Sequence, residues 1–222
     1  MPLPSATTRR DDRWRTLIER ETALLEQALI AEPAGQWLLL DATTFEPPLP
    51  GRPWLHLRCD GDVHESLESA GAWRWPDARV DVIVLRHVVE FSAMPQAALE
   101  AALRALAPGG LLLITGLHPW SPWRPWLARR LARGGVSLRA RAARHLSRCL
   151  LAAGGRVEDV QRFGSSWPGH GIATGGVLAA AYLLCARKQR STPTAVGRYG
   201  VLRRVAVTGA PSLASVRWRQ SA

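Results

Sequence analysis

The sequence contains few cysteines and few long apolar runs. Its three cysteines, Cys59, Cys149 and Cys185, form no CxxC pair, so neither a disulfide framework nor a zinc site is expected. The longest apolar runs, Val177–Cys185 and Leu111–Ile114, are far shorter than the ~20 residues that span a bilayer. The first residues lack the apolar stretch of a signal peptide. We therefore expect a cytoplasmic protein that holds no metal.

Acidic residues are scarce in the second part of the chain. Of 18 acidic residues only Glu158 and Asp159 follow residue 100, whereas 19 of the 29 basic residues do. The first hundred residues carry a net charge of −6 and the remainder carries +17. Charge this polarised attracts anions over a Debye length, ~8 Å at physiological salt. It fits an anionic partner (nucleic acid, an acidic protein or a membrane surface), and it equally fits a solvated basic face with a loose tail.

The organisation of the chain follows from its patterning. Residues 11–189 contain the apolar periodicity of one folded domain. Residues 1–10 are expected to be disordered, and residues 190–222 to form a flexible basic tail rich in Ser, Thr, Gly, Pro and Arg. Apolar residues recur at three- and four-residue steps from Trp14 to Leu29, which predicts a helix capped by Asp11 or Asp12.

Short continuous apolar runs indicate strands that are covered on both faces, as in a parallel sheet. A helix capped by Ser92 and a turn at 108–110 connect the third and fourth runs as a βαβ unit. A helix capped by Ser137 and two closing strands follow. The pattern predicts an α/β fold: a Rossmann-like, doubly wound, mostly parallel sheet with flanking helices. The predicted strands are Trp37–Leu40, Trp54–Cys59, Val80–Leu85, Leu111–Thr115, Arg156–Phe163 and Val177–Ala186.

Three segments carry a family resemblance. Asp81-Val-Ile-Val-Leu-Arg-His87 is preceded by Trp75-Pro76-Asp77-Ala78-Arg79-Val80 and followed by Leu103-Arg-Ala-Leu-Ala-Pro-Gly-Gly-Leu-Leu-Leu-Ile-Thr115. With these motifs the chain resembles class I S-adenosylmethionine-dependent methyltransferases of the type 11 kind, over roughly residues 11–190. The resemblance implies a Rossmann-like fold, S-adenosylmethionine as cofactor, and methyl transfer to an unidentified acceptor.

The resemblance also implies a cofactor side of the site. Asp41 would face the cofactor's ammonium group, or alternatively cap a turn. Asp60 would accept ribose hydroxyl bonds, or alternatively serve as a turn residue before Gly61. The segment from Asp41 to Phe45 contains no glycine where the family has a glycine-rich loop, so an altered pocket is the alternative. The implied cofactor contacts are Asp41, Ala42, Thr43, Asp60, Gly61, Glu68, Ser69 and His87.

The candidate catalytic residues are His87 and His118. Each follows a predicted strand at the carboxyl edge, where α/β sheets bind ligands, and each could take a proton from the acceptor. For His87 the alternative is a buried, hydrogen-bonded histidine. Methyl transfer needs little acid–base help, because alignment of the reacting atoms supplies most of the acceleration.

Acceptor contacts are predicted at Trp120, Trp123 and His170. The tryptophans, with the arginines of the next helix, would also suit a membrane interface, and a proline-rich lid packed on the core is the third alternative. The second function hypothesis is an inactive methyltransferase-like module that binds nucleic acid, an acidic partner or anionic membrane through its basic half, including the stripe Arg141, Arg144 and Arg148. The oligomeric state is not predicted.

Overall fold

The computed structural model describes residues 6–41, 54–58, 78–92, 94–121, 123–132, 138–164 and 179–189, with side chains except at 6–13, 54–58 and 130–132. The four helices in these ranges are α1 (Ala6–Leu29), α2 (Pro95–Ala105), α3 (Trp123–Ala132) and α4 (Ala143–Ala152). The six strands are β1 (Trp37–Asp41), β2 (Trp54–Arg58), β3 (Val80–Arg86), β4 (Leu106–Leu117), β5 (Gly155–Phe163) and β6 (Ala181–Lys188).

The strands form one sheet in the order β2-β1-β3-β4-β6-β5. Strands β1 to β4 pair in parallel, and β6 is antiparallel to both β4 and β5. The chain runs outward from β1 to β2 and then returns past β1 to β3. The strand order therefore reverses between β1 and β3. This confirms the predicted doubly wound, mostly parallel sheet.

Both faces of the central strands are buried, which explains their continuous apolar sequences. Leu38 and Leu40 of β1 point to the face covered by α2 and α4, whereas Trp37 and Leu39 point to the face covered by α1 and α3. The α1 stripe from Trp14 to Leu29 packs on the latter face, as its periodicity predicted. Alternate residues along β1 therefore pack against opposite helix layers.

Several local predictions are wrong. Helix α1 begins at Ala6 rather than at Asp11, because no helix-breaking residue lies between Ala6 and Asp11. Pro108-Gly109-Gly110 does not precede the strand as a separate turn. It lies within β4 as an irregularity in the β3–β4 pairing, where Gly109 has a φ of 85°.

Helix caps differ from the sequence prediction as well. The N-cap of α2 is Met94, and the Ser92 hydroxyl instead accepts a hydrogen bond from the Met94 N–H at 3.2 Å. Ser137 lies outside the described residues, and α4 begins only at Ala143. The last strand begins at Ala181, four residues later than predicted, and extends to Lys188.

The chain divides into a unit of residues 1–191 and a second unit of residues 192–222. The whole of the second unit lies outside the described residues. Of the helices that the structure describes, none has both the length and the apolar character needed to cross a bilayer.

Candidate active site

The carboxyl ends of β1, β3 and β4 lie at one edge of the sheet, and β5 ends at the same edge because two antiparallel pairings separate it from β4. The structure brings three predicted site residues to this edge: Asp41, His87 and His118. Asp41 is buried at the end of β1, with its Cα in register with that of Arg86 on β3. The other implied cofactor contacts and His170 lie outside the described residues: Ala42, Thr43, Asp60, Gly61, Glu68 and Ser69.

His87 occupies a tight turn directly after β3. Its φ of 55° lies in the left-handed region, which a residue with a side chain adopts only when its surroundings enforce it. The His87 N–H donates to the carbonyl and the hydroxyl oxygens of Thr115, both at 3.3 Å. Neighbouring strand β4 thereby fixes the turn and directs the imidazole inward.

The His87 ring lies between two carboxylates. Its Nδ1 is 3.0 Å from Glu90 Oε2, and its Nε2 is 3.0 Å from Glu21 Oε2 on α1. All three side chains are buried. Burial by itself lowers the pKa of His87, but the charges and hydrogen bonds of Glu21 and Glu90 outweigh burial and raise that pKa to about 10. The ring is therefore an imidazolium at neutral pH.

Arg86 supplies the second buried cation. Its Nε donates to Glu21 Oε1 at 3.2 Å, and its Nη2 donates to the hydroxyl of Thr22 at 2.9 Å. Burial raises the pKa of Glu21, but the charge and hydrogen bond of His87, the charge of Arg86 and a hydrogen bond from Thr115 lower it to about 2. Two cations and two carboxylates thus balance, and they tie α1 to the sheet. We call these residues, Glu21, Arg86, His87 and Glu90, the ion cluster.

The ion cluster changes the interpretation of His87. An imidazolium has no free lone pair, and both of its ring nitrogens already donate to carboxylates. The geometry therefore favours the alternative of a buried, hydrogen-bonded histidine over a proton acceptor. Trp14 of α1 also covers the ring, with centroids 5.9 Å apart.

Glu90 links the ion cluster to the end of β4. Its Oε1 accepts a short hydrogen bond from the Leu117 N–H. Close by, the Tyr182 hydroxyl of β6 is buried and has no hydrogen-bond partner among the described residues. A Cβ on Gly116 would lie 2.6 Å from that hydroxyl, which is too close, so the position next to the Tyr182 ring requires glycine. Burial and the Glu90 charge raise the pKa of Tyr182 well above its ordinary value.

His118 follows β4 and is partly exposed. Its N–H donates to the Ala180 carbonyl, and its carbonyl accepts from the Ser121 N–H at 2.8 Å, which closes a tight turn. The Trp120 N–H donates to His118 Nδ1 at 3.3 Å, so the neutral ring carries its proton on Nε2. Burial and the nearby Arg162 lower the pKa of His118. In this tautomer His118 offers a hydrogen-bond donor, and its predicted role as a base stays a prediction.

The three tryptophans of the proline-rich segment differ in exposure. Trp120 is 82% exposed, whereas Trp123 is 2% exposed. The Trp123 ring packs against Trp14 and Trp126, with centroids 5.8 and 5.4 Å away. The burial of Trp123 favours the packed alternative over an acceptor wall at that residue, while Trp120 remains available at the surface.

Sequence reasoning did not identify three residues near this edge, Glu21, Glu90 and Arg162, and it named Arg141 only as part of the basic stripe. Glu21 is 66 positions from His87, so no local pattern connects them. The only signal in the sequence is that Glu21 falls close to the apolar stripe of α1, where an acid needs a partner.

A family model described as a methyltransferase domain matches residues 24–160, more than half of the chain. This confirms the family resemblance. No curated protein matches the chain.

Solved structures match the fold. The [4+2]-cyclase SpnF is 19% identical over 80% of this chain and 83% of its own, with a TM-score of 0.55. A SAM-dependent methyltransferase from Archaeoglobus fulgidus is 14% identical over 77% and 94%, with a TM-score of 0.52. A third structure, described by the conversion of a disulfide bond into a thioacetal group during echinomycin biosynthesis, is 18% identical over 78% of this chain and 82% of its own, with a TM-score of 0.50.

Proposed function

We propose that this chain, which belongs to the methyltransferase domain family, transfers a methyl group from S-adenosylmethionine to an acceptor. The observation that carries this proposal is the reversal of strand order between β1 and β3. Open α/β sheets bind their ligands in the crevice at such a reversal, outside the carboxyl ends of the strands. Asp41 ends the strand on one side of this crevice, and Arg86 ends the strand on the other.

The described residues fit this cofactor at one point. S-adenosylmethionine carries an ammonium group, which a carboxylate at the end of β1 would bind through charge-assisted hydrogen bonds. Asp41 has that chemistry and that position. When bound, the cofactor supplies a methyl group on a sulfonium, which is already an activated electrophile.

The ion cluster then acts as a support and not as a reagent. His87 and Arg86 are held by Glu21 and Glu90, and these contacts restrain the turn after β3. A rigid turn at the crevice keeps the reacting groups aligned, and alignment provides most of the rate gain in a bimolecular transfer. The side chains of the ion cluster are themselves buried away from solvent.

Calorimetry with the full chain tests the proposal. We expect S-adenosylmethionine and its demethylated product to bind, and Asp41→Asn to weaken binding by about 10- to 100-fold, the range for a lost charge-assisted hydrogen bond. Asp159→Asn is the matched control, because Asp159 is exposed on β5 and bonds only its own strand. The absence of heat at millimolar ligand would overturn the proposal.

The alternative of an inactive binding module relies on the basic half of the chain, and residues 190–222 lie outside the described residues. An anionic partner stays a prediction, tested by the salt dependence of binding to DNA or anionic vesicles.

A further inference from the structure

An exposed aromatic ring, that of Trp120, lies just after the end of β4. Trp120 is 82% exposed, although its backbone is held in the turn closed by the Ser121 N–H and the His118 carbonyl. On the far side of the turn, Ser121 Oγ accepts from the Trp123 N–H, and the buried Trp123 anchors α3. A large ring on an ordered turn in water is available to stack on a planar ligand.

Two arginines near the end of β4 have no acidic partner among the described residues: Arg141 and Arg162. Arg162 on β5 is exposed, and it is close enough to His118 for the two groups to interact electrostatically. Arg141 precedes α4, and its Nε is buried with no hydrogen-bond partner in the described part of the chain. The charge of Arg141 acts on Tyr182.

Strand register places Arg162 on the same face of the sheet as Gly116, near the end of β4. Gly116 of β4 and Arg162 of β5 both pair with Tyr182 of β6, and residues that pair directly across strands point to the same side. Tyr182 packs with residues of α2 and α4, so Gly116 and Arg162 lie on that side of the sheet, and His118 follows Gly116 by two residues, just after β4 ends.

Among the described residues, no carboxylate pairs with either arginine. Glu90, whose charge acts on Tyr182, is already bound by His87 and by the Leu117 N–H. The Nε2–H of His118 points away from the bond that its Nδ1 makes, so it is a further donor. The two guanidinium groups and this N–H are the donors that this edge of the sheet offers to an anionic group on a ligand.

We propose that this edge is the acceptor subsite and that it takes a planar aromatic acceptor with an anionic group, stacked on Trp120 and bound through Arg162 and Arg141. The inference rests on the proposed methyl transfer and deepens it by naming the acceptor class, an aromatic carboxylate. The turn that carries Trp120 follows β4, which pairs with β3, the strand whose end forms one side of the cofactor crevice.

The test uses the full chain and two probes of the same shape, 4-hydroxybenzoate and its uncharged amide, 4-hydroxybenzamide. We expect calorimetry to show at least tenfold tighter binding of the acid. Arg162→Gln should reduce this preference, because only Arg141 then remains to bind the anionic group, and Trp120→Ala should weaken both probes. The matched control is Arg148→Gln, which removes an exposed arginine from α4 and should leave both affinities unchanged.

Equal binding of the two probes, an unchanged preference in Arg162→Gln, or no binding of either probe at millimolar concentration would overturn the inference. The demethylated cofactor product is titrated separately into wild type and into both variants. Its binding should be unchanged by Arg162→Gln and Trp120→Ala. If wild type binds 4-hydroxybenzoate as expected but not that product, the proposed function fails and the anionic subsite stands.

Discussion

Replacing His87 by glutamine removes one of the two cations that balance Glu21 and Glu90 in the ion cluster. Glutamine retains a hydrogen-bonding group of similar reach but carries no charge. The two carboxylates would remain buried with only Arg86 to neutralise them. Breaking a buried ion pair from one side is strongly destabilising, because it leaves an uncompensated charge in a low-dielectric interior.

The magnitude follows from the pKa of His87. A rise from 6.5 to about 10 means that the folded state favours the protonated ring by roughly 5 kcal/mol. Because the folded pKa is raised above the unfolded value, this contribution is complete below pH 6.5 and is lost as the pH approaches 10. Wild type should therefore lose stability over that interval. His87→Gln should lack this slope.

Urea unfolding of both proteins between pH 6 and pH 11 measures the effect. Cys185, with its pKa raised to about 11, and Tyr182 also make wild type less stable at high pH, but they are present in both proteins and cancel in the difference. His145→Gln on the exposed face of α4 is the control and should follow wild type. If the difference between wild type and His87→Gln does not shrink from pH 6.5 to pH 10, His87 is not the cation we describe.

Three further predictions follow from the same contacts. Glu21→Gln should lack the Glu21 contribution, which wild type has in full above pH 4.5 and loses as the pH falls toward 2; the stability difference between the two proteins, measured by urea unfolding followed by circular dichroism, should therefore shrink over that interval, and a constant difference would contradict the assigned ion pairs. Gly116→Ala should destabilise by about 1–3 kcal/mol in chemical denaturation, because the new Cβ would lie 2.6 Å from the Tyr182 hydroxyl; a neutral result would contradict that packing. Trp123→Ala should cost about 3–5 kcal/mol, whereas Trp120→Ala should change stability by less than about 0.5 kcal/mol, and similar melting temperatures for the two variants would contradict their assigned environments.

The sheet could be predicted from the sequence because strands buried on both faces must be apolar throughout. Val82–Leu85 is such a run, and the limits of the strand that contains it, Val80–Arg86, agree with the prediction to within one residue. Turns and caps could not be predicted as well. Pro108-Gly109-Gly110 is compatible with a turn before a strand and with an irregular strand, and only the pairing with β3 decides between them.

The site was predictable only where it depends on strand ends. Asp41, His87 and His118 lie at the carboxyl edge because β1, β3 and β4 are parallel and their carboxyl ends share one edge of the sheet. What those side chains do depends on residues remote in sequence. Glu21 decides the charge of His87 from α1, and Arg162 influences His118 from β5.

Electron density for the demethylated cofactor product in crystals of the full chain tests the central claim most directly. We expect a nucleoside at the carboxyl edge between β1 and β3, with the amino group of its amino-acid moiety within hydrogen-bond distance of Asp41. Density there that belongs to the protein chain itself, or ligand bound at another edge of the sheet, would contradict the account.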